Sequence, residues 1–155
     1  MTTVRDAHPD EARALSQLAL RSKAHWGYDA AFLAACEPAL TLTAEQIAGG
    51  DAVVRVAEDE QGTRLGLCSL LLTTDPVELD LLYVDPRAIG SGVGRALLDD
   101  ALAQAAARGI VELRIEADPN AEPFYRSRGA VRIGERVSAA TGRALPLLRI
   151  ATRGR

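Results

Sequence analysis

The chain has 155 residues, 48% of them hydrophobic and 25% charged, with a formal net charge of −3. That length suits one domain, expected to span residues 1–155, with a single substantial core. The mildly acidic balance excludes the basic footprint that nucleic acid or an anionic membrane surface requires.

In chain order, a short strand is expected around Thr2–Arg5. Pro9-Asp10-Glu11 then reads as a helix start, since Pro is tolerated and acids are favoured in a first turn. Ala12, Leu15, Leu18, Ala19 and Ser22 recur at helical spacing to about Lys23. His25-Trp26-Gly27-Tyr28 breaks that helix, and a second is expected from Asp29 to Cys36, stopping before Pro38. Thr43-x-x-Gln46 is a capping-box pattern for a short third helix ending at Gly49-Gly50. The period then falls to two. Residues 52–57, 65–72 and 77–84 are β-branched or apolar runs separated by turn residues, an antiparallel meander.

Residues 94–108 form a strongly amphipathic helix with Leu97, Leu98, Ala101, Leu102 and Ala105 on its buried face and Gly109 at the C-cap position. Val111, Leu113, Ile115 and Ala117 alternate with charged residues, as in a strand with one polar face. Residues 121–128 read as a short helix closed by Gly129, and 131–137 and 144–151 as a final strand pair around the polar loop 138–143. This order describes an α/β (α+β) fold with a mixed sheet. Strand 144–151 is a candidate contact for a homodimer.

The longest uncharged apolar stretch, Leu65–Leu72, is too short to span a bilayer. The first residues, MTTVRDAHPDEARA, lack the apolar segment of a signal peptide, so a cytoplasmic protein with no membrane partner is expected. Cys36 and Cys68 lie in apolar runs with no metal-ligand or Cys-x-x-Cys spacing. They read as buried reduced thiols, and no metal site is expected.

The segment richest in chemistry is Tyr83-Val84-Asp85-Pro86 followed by Gly90-Ser91-Gly92-Val93-Gly94-Arg95-Ala96-Leu97-Leu98. Alternate glycines between a buried strand and a helix let backbone approach a ligand, and N–H groups at a helix start favour an anion. The spacing is not that of a P-loop, which needs a following Lys-Ser/Thr. Nor is it a dinucleotide fingerprint, because Arg95 or Leu97 stands where the third glycine belongs. On the glycines alone, a diphosphate cradle and a turn that merely packs a helix close to the sheet both fit.

With its flanking residues, this segment resembles the acyl-CoA-binding motif of the GNAT superfamily of N-acetyltransferases. Ala121-Glu122-Pro123-Phe124-Tyr125-Arg126-Ser127-Arg128-Gly129-Ala130 resembles that family's Ala-x-x-Phe-Tyr-x-x-x-Gly-Phe signature. The resemblance implies a mostly antiparallel central sheet flanked by helices, with acetyl-CoA in a V-shaped splay between strands 77–84 and 111–117. It implies cofactor contacts from Leu82, Tyr83, Val84, Gly90, Ser91, Gly92, Val93, Gly94, Arg95, Asn120 and Phe124. The N–H groups of residues 90–95 would take the pyrophosphate, and those near Leu82 and Val84 the pantetheine arm or acetyl carbonyl. Three residues depart from the family pattern: Ile89 stands for Gln or Arg, Asp118 for an Asn that bonds pantetheine, and Ala130 for Phe.

Acetyl transfer from a thioester needs a neutral amine, a polarised carbonyl and a proton for the departing sulfur. Tyr125 matches the family's general acid; a phenol with a pKa near 10 keeps its proton beside a thiol of about 8.5. The alternative is an aromatic core anchor, a part that Phe124 fits. Glu78 matches a position where some members carry a general base. Asp80, two residues on and expected on the same strand face, is its rival and a substrate-binding candidate; for each, a solvated surface charge also fits. Trp26 and Tyr28, with His25 and Phe32, cluster where the resemblance implies the wall for a small-molecule amine acceptor, amino acid or peptide; the hydrophobic lid of a small core also fits, for Phe32 above all. Arg143 is either a carboxylate ligand or a surface arginine. A non-catalytic acyl-CoA-binding or regulatory module of the same fold is the competing function.

Overall fold

The computed structural model describes residues 1–153. Its seven strands are β1 (Thr3–Asp6), β2 (Ala52–Glu58), β3 (Arg64–Leu71), β4 (Glu78–Val84), β5 (Glu112–Glu116), β6 (Val131–Val137) and β7 (Ala144–Ala151), and they form one sheet in the order β1-β2-β3-β4-β5-β7-β6. All pairings are antiparallel except β4 with β5. The helices are α1 (Ala12–Ala24), α2 (Ala30–Leu40), α3 (Ala44–Ala48), α4 (Val93–Ala107) and α5 (Glu122–Ser127). No helix among the described residues is long and apolar enough to cross a membrane.

The sheet is the middle layer. On one face Leu97, Leu98 and Leu102 of α4, with Tyr125 of α5, pack over Cys68, Leu113 and Ile115. Fully burying each of those α4 leucines is worth about 1.5–3 kcal/mol of transfer free energy. On the other face Leu15 and Leu18 of α1 and Cys36 and Leu40 of α2 cover Val56, Leu67 and Leu81. Alternation assigns neighbours to opposite layers, as with Leu67 and Cys68. Helix α4 lies close because of Gly66: a Cβ there would sit 2.8 Å from both Leu97 Cδ1 and the Tyr83 carbonyl oxygen.

Most element boundaries match the sequence expectation to within a residue or two, and the Thr43–Gln46 capping box forms in both directions. Helix α2 is an exception. It runs through Pro38 to Leu40. Proline removes one hydrogen bond here, but only in the last turn, where burial of Leu40 and the Thr41 hydroxyl bond to the Glu37 carbonyl hold the helix end. Strand β7 lies between β5 and β6, so both its edges are occupied and the free edge at that end of the sheet belongs to β6. A dimer contact along an edge of 144–151 is therefore closed off.

Pro9–Glu11 is a 3₁₀ turn, and Glu11 is only 3% exposed. Its carboxylate accepts from Arg5 (2.8 Å), Arg64 (2.6 Å) and the His8 amide (2.8 Å), joining β1, β3 and the entry to α1. Cys36 and Cys68 are both buried free thiols, as expected, and burial pushes the Cys68 thiol up to about 12.

Candidate active site

The site begins with a defect in the sheet. Pairing of β3 with β4 passes from Ser69–Leu81 to Leu70–Leu79, leaving Asp80 as an extra residue. Such a bulge twists a strand and re-aims its side chains. Leu79 accordingly packs with the α4 layer and Leu81 with the α1 layer, although two residues apart they would normally share a face. Glu78 and Asp80, expected on the same strand face, both line one pocket, but only Asp80 also lines the larger cleft. Strand β4 then leaves β5: Glu78–Arg114 is the one residue pair between them among the described residues. The Asp85 amide donates to Leu65 on β3. By alternation the Tyr83 amide also faces β3, while those of Leu82 and Val84 face the gap toward β5.

Beyond Val84, Asp85 is buried and holds the turn. It accepts from Arg21 at 2.9 Å and from the Arg87 amide at 3.2 Å. Burial opposes its ionisation, but these partners keep its carboxyl below the ordinary value. Gly90 (φ 84°) and Gly92 (φ 89°) adopt left-handed conformations, and a Cβ on either would point into open space. The amides of Gly90, Gly92, Val93, Gly94 and Arg95 have no acceptor among the described residues. Ser91 differs: its amide and hydroxyl both donate to the Ala88 carbonyl.

A cleft of about 450 Å³ runs from this turn into the splay. Gly90, Gly92, Gly94 and Arg95 line one end, and Arg95 has no acidic partner among the described residues. Leu82, Tyr83 and Val84 form one wall; Asn120, Phe124 and Tyr125 form the other. Trp26, 48% exposed, and Asp80 complete it. Ser91, Val93, Glu78 and Tyr28 are not on its surface. Glu78 lines a second, smaller pocket of about 160 Å³, which shares Lys23, Leu79, Asp80, Tyr83, Glu116 and Asp118 with the cleft.

Tyr125 is 6% exposed, more buried than Phe124, which was expected as the anchor. The Phe124 ring meets it edge-on at 5.3 Å. The Tyr125 hydroxyl makes no hydrogen bond to any described residue, and burial, reinforced by Cys68 and Asp118, holds its proton on. Asp80 has no ion-pair partner among the described residues; its surface remains exposed to the pocket, but crowding by the surrounding chain, then Glu78 and Glu116, push its carboxyl up to about 6. Glu78 is instead held by Arg136 at 2.7 Å, and the same guanidinium reaches Glu116 at 3.5 Å. A carboxyl raised toward neutrality in the same cleft as a protonated phenol is able to take a proton while the other gives one.

Sequence reasoning missed the group that joins the two pockets. Lys23 Nζ lies 2.5 Å from Asp118 Oδ2, the Tyr28 hydroxyl donates to the same oxygen at 2.9 Å, and the Asn120 amide donates to Oδ1 at 2.8 Å. Burial disfavours the Asp118 carboxylate, but Lys23, the Asn120 amide and Tyr28 outweigh it and keep the group ionised. Tyr28 stacks on Phe32 at 4.2 Å and so braces the wall from behind. With Lys23 and Asp118 separated by 95 positions in sequence, no local pattern signals the pair.

Residues 11–147 match the family model described as an acetyltransferase (GNAT) domain. The chain belongs to the GNAT acetyltransferase family. Among solved structures, this GNAT chain is similar to a GCN5-related N-acetyltransferase from Rhodopseudomonas palustris, with 25% identity, a TM-score of 0.81, and 97% and 96% of the two chains covered. It is similar to YjaB from Escherichia coli at 26% identity and a TM-score of 0.70, covering 100% and 99%. PaiA N-acetyltransferase from Thermoplasma acidophilum, in complex with coenzyme A, shares the fold at 17% identity and a TM-score of 0.72, covering 97% and 99%. The mostly antiparallel sheet flanked by helices is the architecture of these relatives.

Proposed function

We propose that the chain is an acetyl-CoA-dependent N-acetyltransferase, a single catalytic domain that acetylates a primary amine of a small molecule, amino acid or peptide through a ternary complex. One observation carries the reading: unbonded glycine-turn amides, the open edge of β4 and the unpartnered Tyr125 hydroxyl meet in one cleft. The residues suit a diphosphate-bearing thioester, because the amides and Arg95 lack other partners and the glycines leave space above the turn. A relative of the same fold in complex with coenzyme A supports that choice.

Bound acetyl-CoA supplies an activated acyl carbon and a sulfur leaving group. The amides of Gly90, Gly92, Val93, Gly94 and Arg95 bind the diphosphate. The Leu82 and Val84 amides receive the arm and the acyl oxygen, where fixed donors stabilise developing charge at little reorganisation cost. Asp80 takes a proton from the incoming ammonium group, and Glu78 and Arg136 tune Asp80 rather than contact the amine. As the C–N bond forms and the C–S bond breaks, Tyr125 Oη gives its proton to sulfur and recovers one from nitrogen. The Phe124 ring, edge-on to Tyr125, covers one side of the phenol.

The reading is tested by titrating acetyl-CoA calorimetrically and following thiol release with an amine panel. Gly92→Glu should abolish acetyl-CoA binding, since it forces a side chain onto a left-handed residue and puts a carboxylate where the anion belongs. Near-normal binding by this variant contradicts the phosphate assignment. Binding to the unaltered chain without thiol release from any amine favours the non-catalytic module.

A further inference from the structure

Resting on the acetyl-transfer reading, we infer that the acceptor is an amine carrying a carboxylate, of amino-acid size, and that Arg143 receives that carboxylate. Arg143 is exposed and has no acidic partner among the described residues. Its position is nevertheless built. The guanidinium stands 5.1 Å from the Phe32 ring centroid and 5.7 Å from that of Tyr28. Cation–π contact fixes the group over the two rings, and no acidic side chain among the described residues engages its N–H fork.

The loop that carries Arg143 is closed on itself. Ser138 N–H donates to the Arg143 carbonyl at 2.8 Å, and the Arg143 amide donates to Thr141 Oγ1 at 3.3 Å. Ser138, Ala140 and Leu145 from this hairpin line the smaller pocket, and Arg143 belongs to the same hairpin without lining the pocket itself. Arg143 also acts on the Tyr28 hydroxyl, which bonds Asp118, a residue common to both pockets.

Every carboxylate lining the pocket except Asp80 has a basic partner. Arg136 serves Glu78 and Glu116, and Lys23 serves Asp118. Asp80 is left for an ammonium group, and Arg143 on the lining hairpin for an anion. A pocket of about 160 Å³ that holds a carboxylate with no ion-pair partner among the described residues, lined by a hairpin whose guanidinium has no acidic partner among them, complements a zwitterion. An acceptor with a second ammonium group in place of the carboxylate would meet Arg143 with like charge.

The test compares α-amino acids with their amides and with short diamines at saturating acetyl-CoA, reading thiol release. Amino acids should show a kcat/KM about tenfold or more above their amides, which is about 1.4 kcal/mol of differential binding. Arg143→Gln should raise KM for amino acids about tenfold with little change in kcat and leave the amides unaffected. Arg143→Lys should restore part of the loss. A general packing defect would change acids and amides alike, and that result overturns the inference. Amides or diamines turned over as well as acids overturn it too, while the transferase reading stands. Absence of acetyl-CoA binding would instead remove the transferase reading itself. If acetyl-CoA binds without turnover, thermal shift of the CoA-saturated protein with amino acids decides, and no shift sinks the inference.

Discussion

Asp80 should set the acid limb of the pH–rate profile. Desolvation on the bulged strand, then repulsion from Glu78 and Glu116, bring its carboxyl to about 6. Such a group is about 90% ionised at pH 7 and about 10% at pH 5, so kcat/KM should fall about tenfold between them. Asp80→Asn should remove the limb and lower kcat by about 10²–10⁴, the usual worth of a general base. Each cause can be varied separately. Glu116→Gln deletes a repelling charge and should move the limb down. Arg136→Gln strips Glu78 and Glu116 of their shared guanidinium and should move it up. Stability runs the other way. A carboxyl whose folded pKa exceeds its unfolded value of about 3.9 stabilises the fold below that value, and the contribution is lost as pH rises through about 6. Asp80→Asn should therefore melt at a higher temperature than the parent chain at pH 7 while turning over more slowly. Thiol release across a pH series, with melts in the same buffers, measures both. An acid limb unchanged in Asp80→Asn, or one that moves down in Arg136→Gln, would refute the reasoning.

Tyr125→Phe should retain acetyl-CoA affinity and slow turnover at least tenfold, about 1.4 kcal/mol in barrier, read by calorimetry beside steady-state kinetics; unchanged turnover removes the phenol from the chemistry. Glu11→Gln should cost about 2–4 kcal/mol at pH 7, below the top of the range for broken buried pairs because Arg64 is partly exposed. Arg5 foremost, with the His8 amide and Arg64, outweighs burial and holds the Glu11 carboxyl well below the usual carboxylate range. The stability it contributes is present above the unfolded value of about 4.3 and lost as pH falls toward the folded one, so denaturant melts of the two proteins should converge in acid.

Local chemistry written in consecutive residues determined much of this protein by itself. The Thr43–Gln46 cap, the apolar face of α4 and the bounds of β6 and β7 each depend on neighbours a few positions apart, so the sequence alone exposes them. The glycine turn and the Phe124-Tyr125 pair were legible for the same reason. Tertiary structure decided what depends on distant partners. Pro38 stays helical because Leu40 is buried against other elements. Leu79 and Leu81 face opposite layers because β3 and β4 do not keep register, which no property of β4 alone reveals. Lys23 and Asp118 meet across 95 residues, and Arg136 reaches Glu78 across 58. Periodicity describes a single chain segment, whereas desolvation and charge pairing, which set the working protons of the site, exist only once separate segments are packed together.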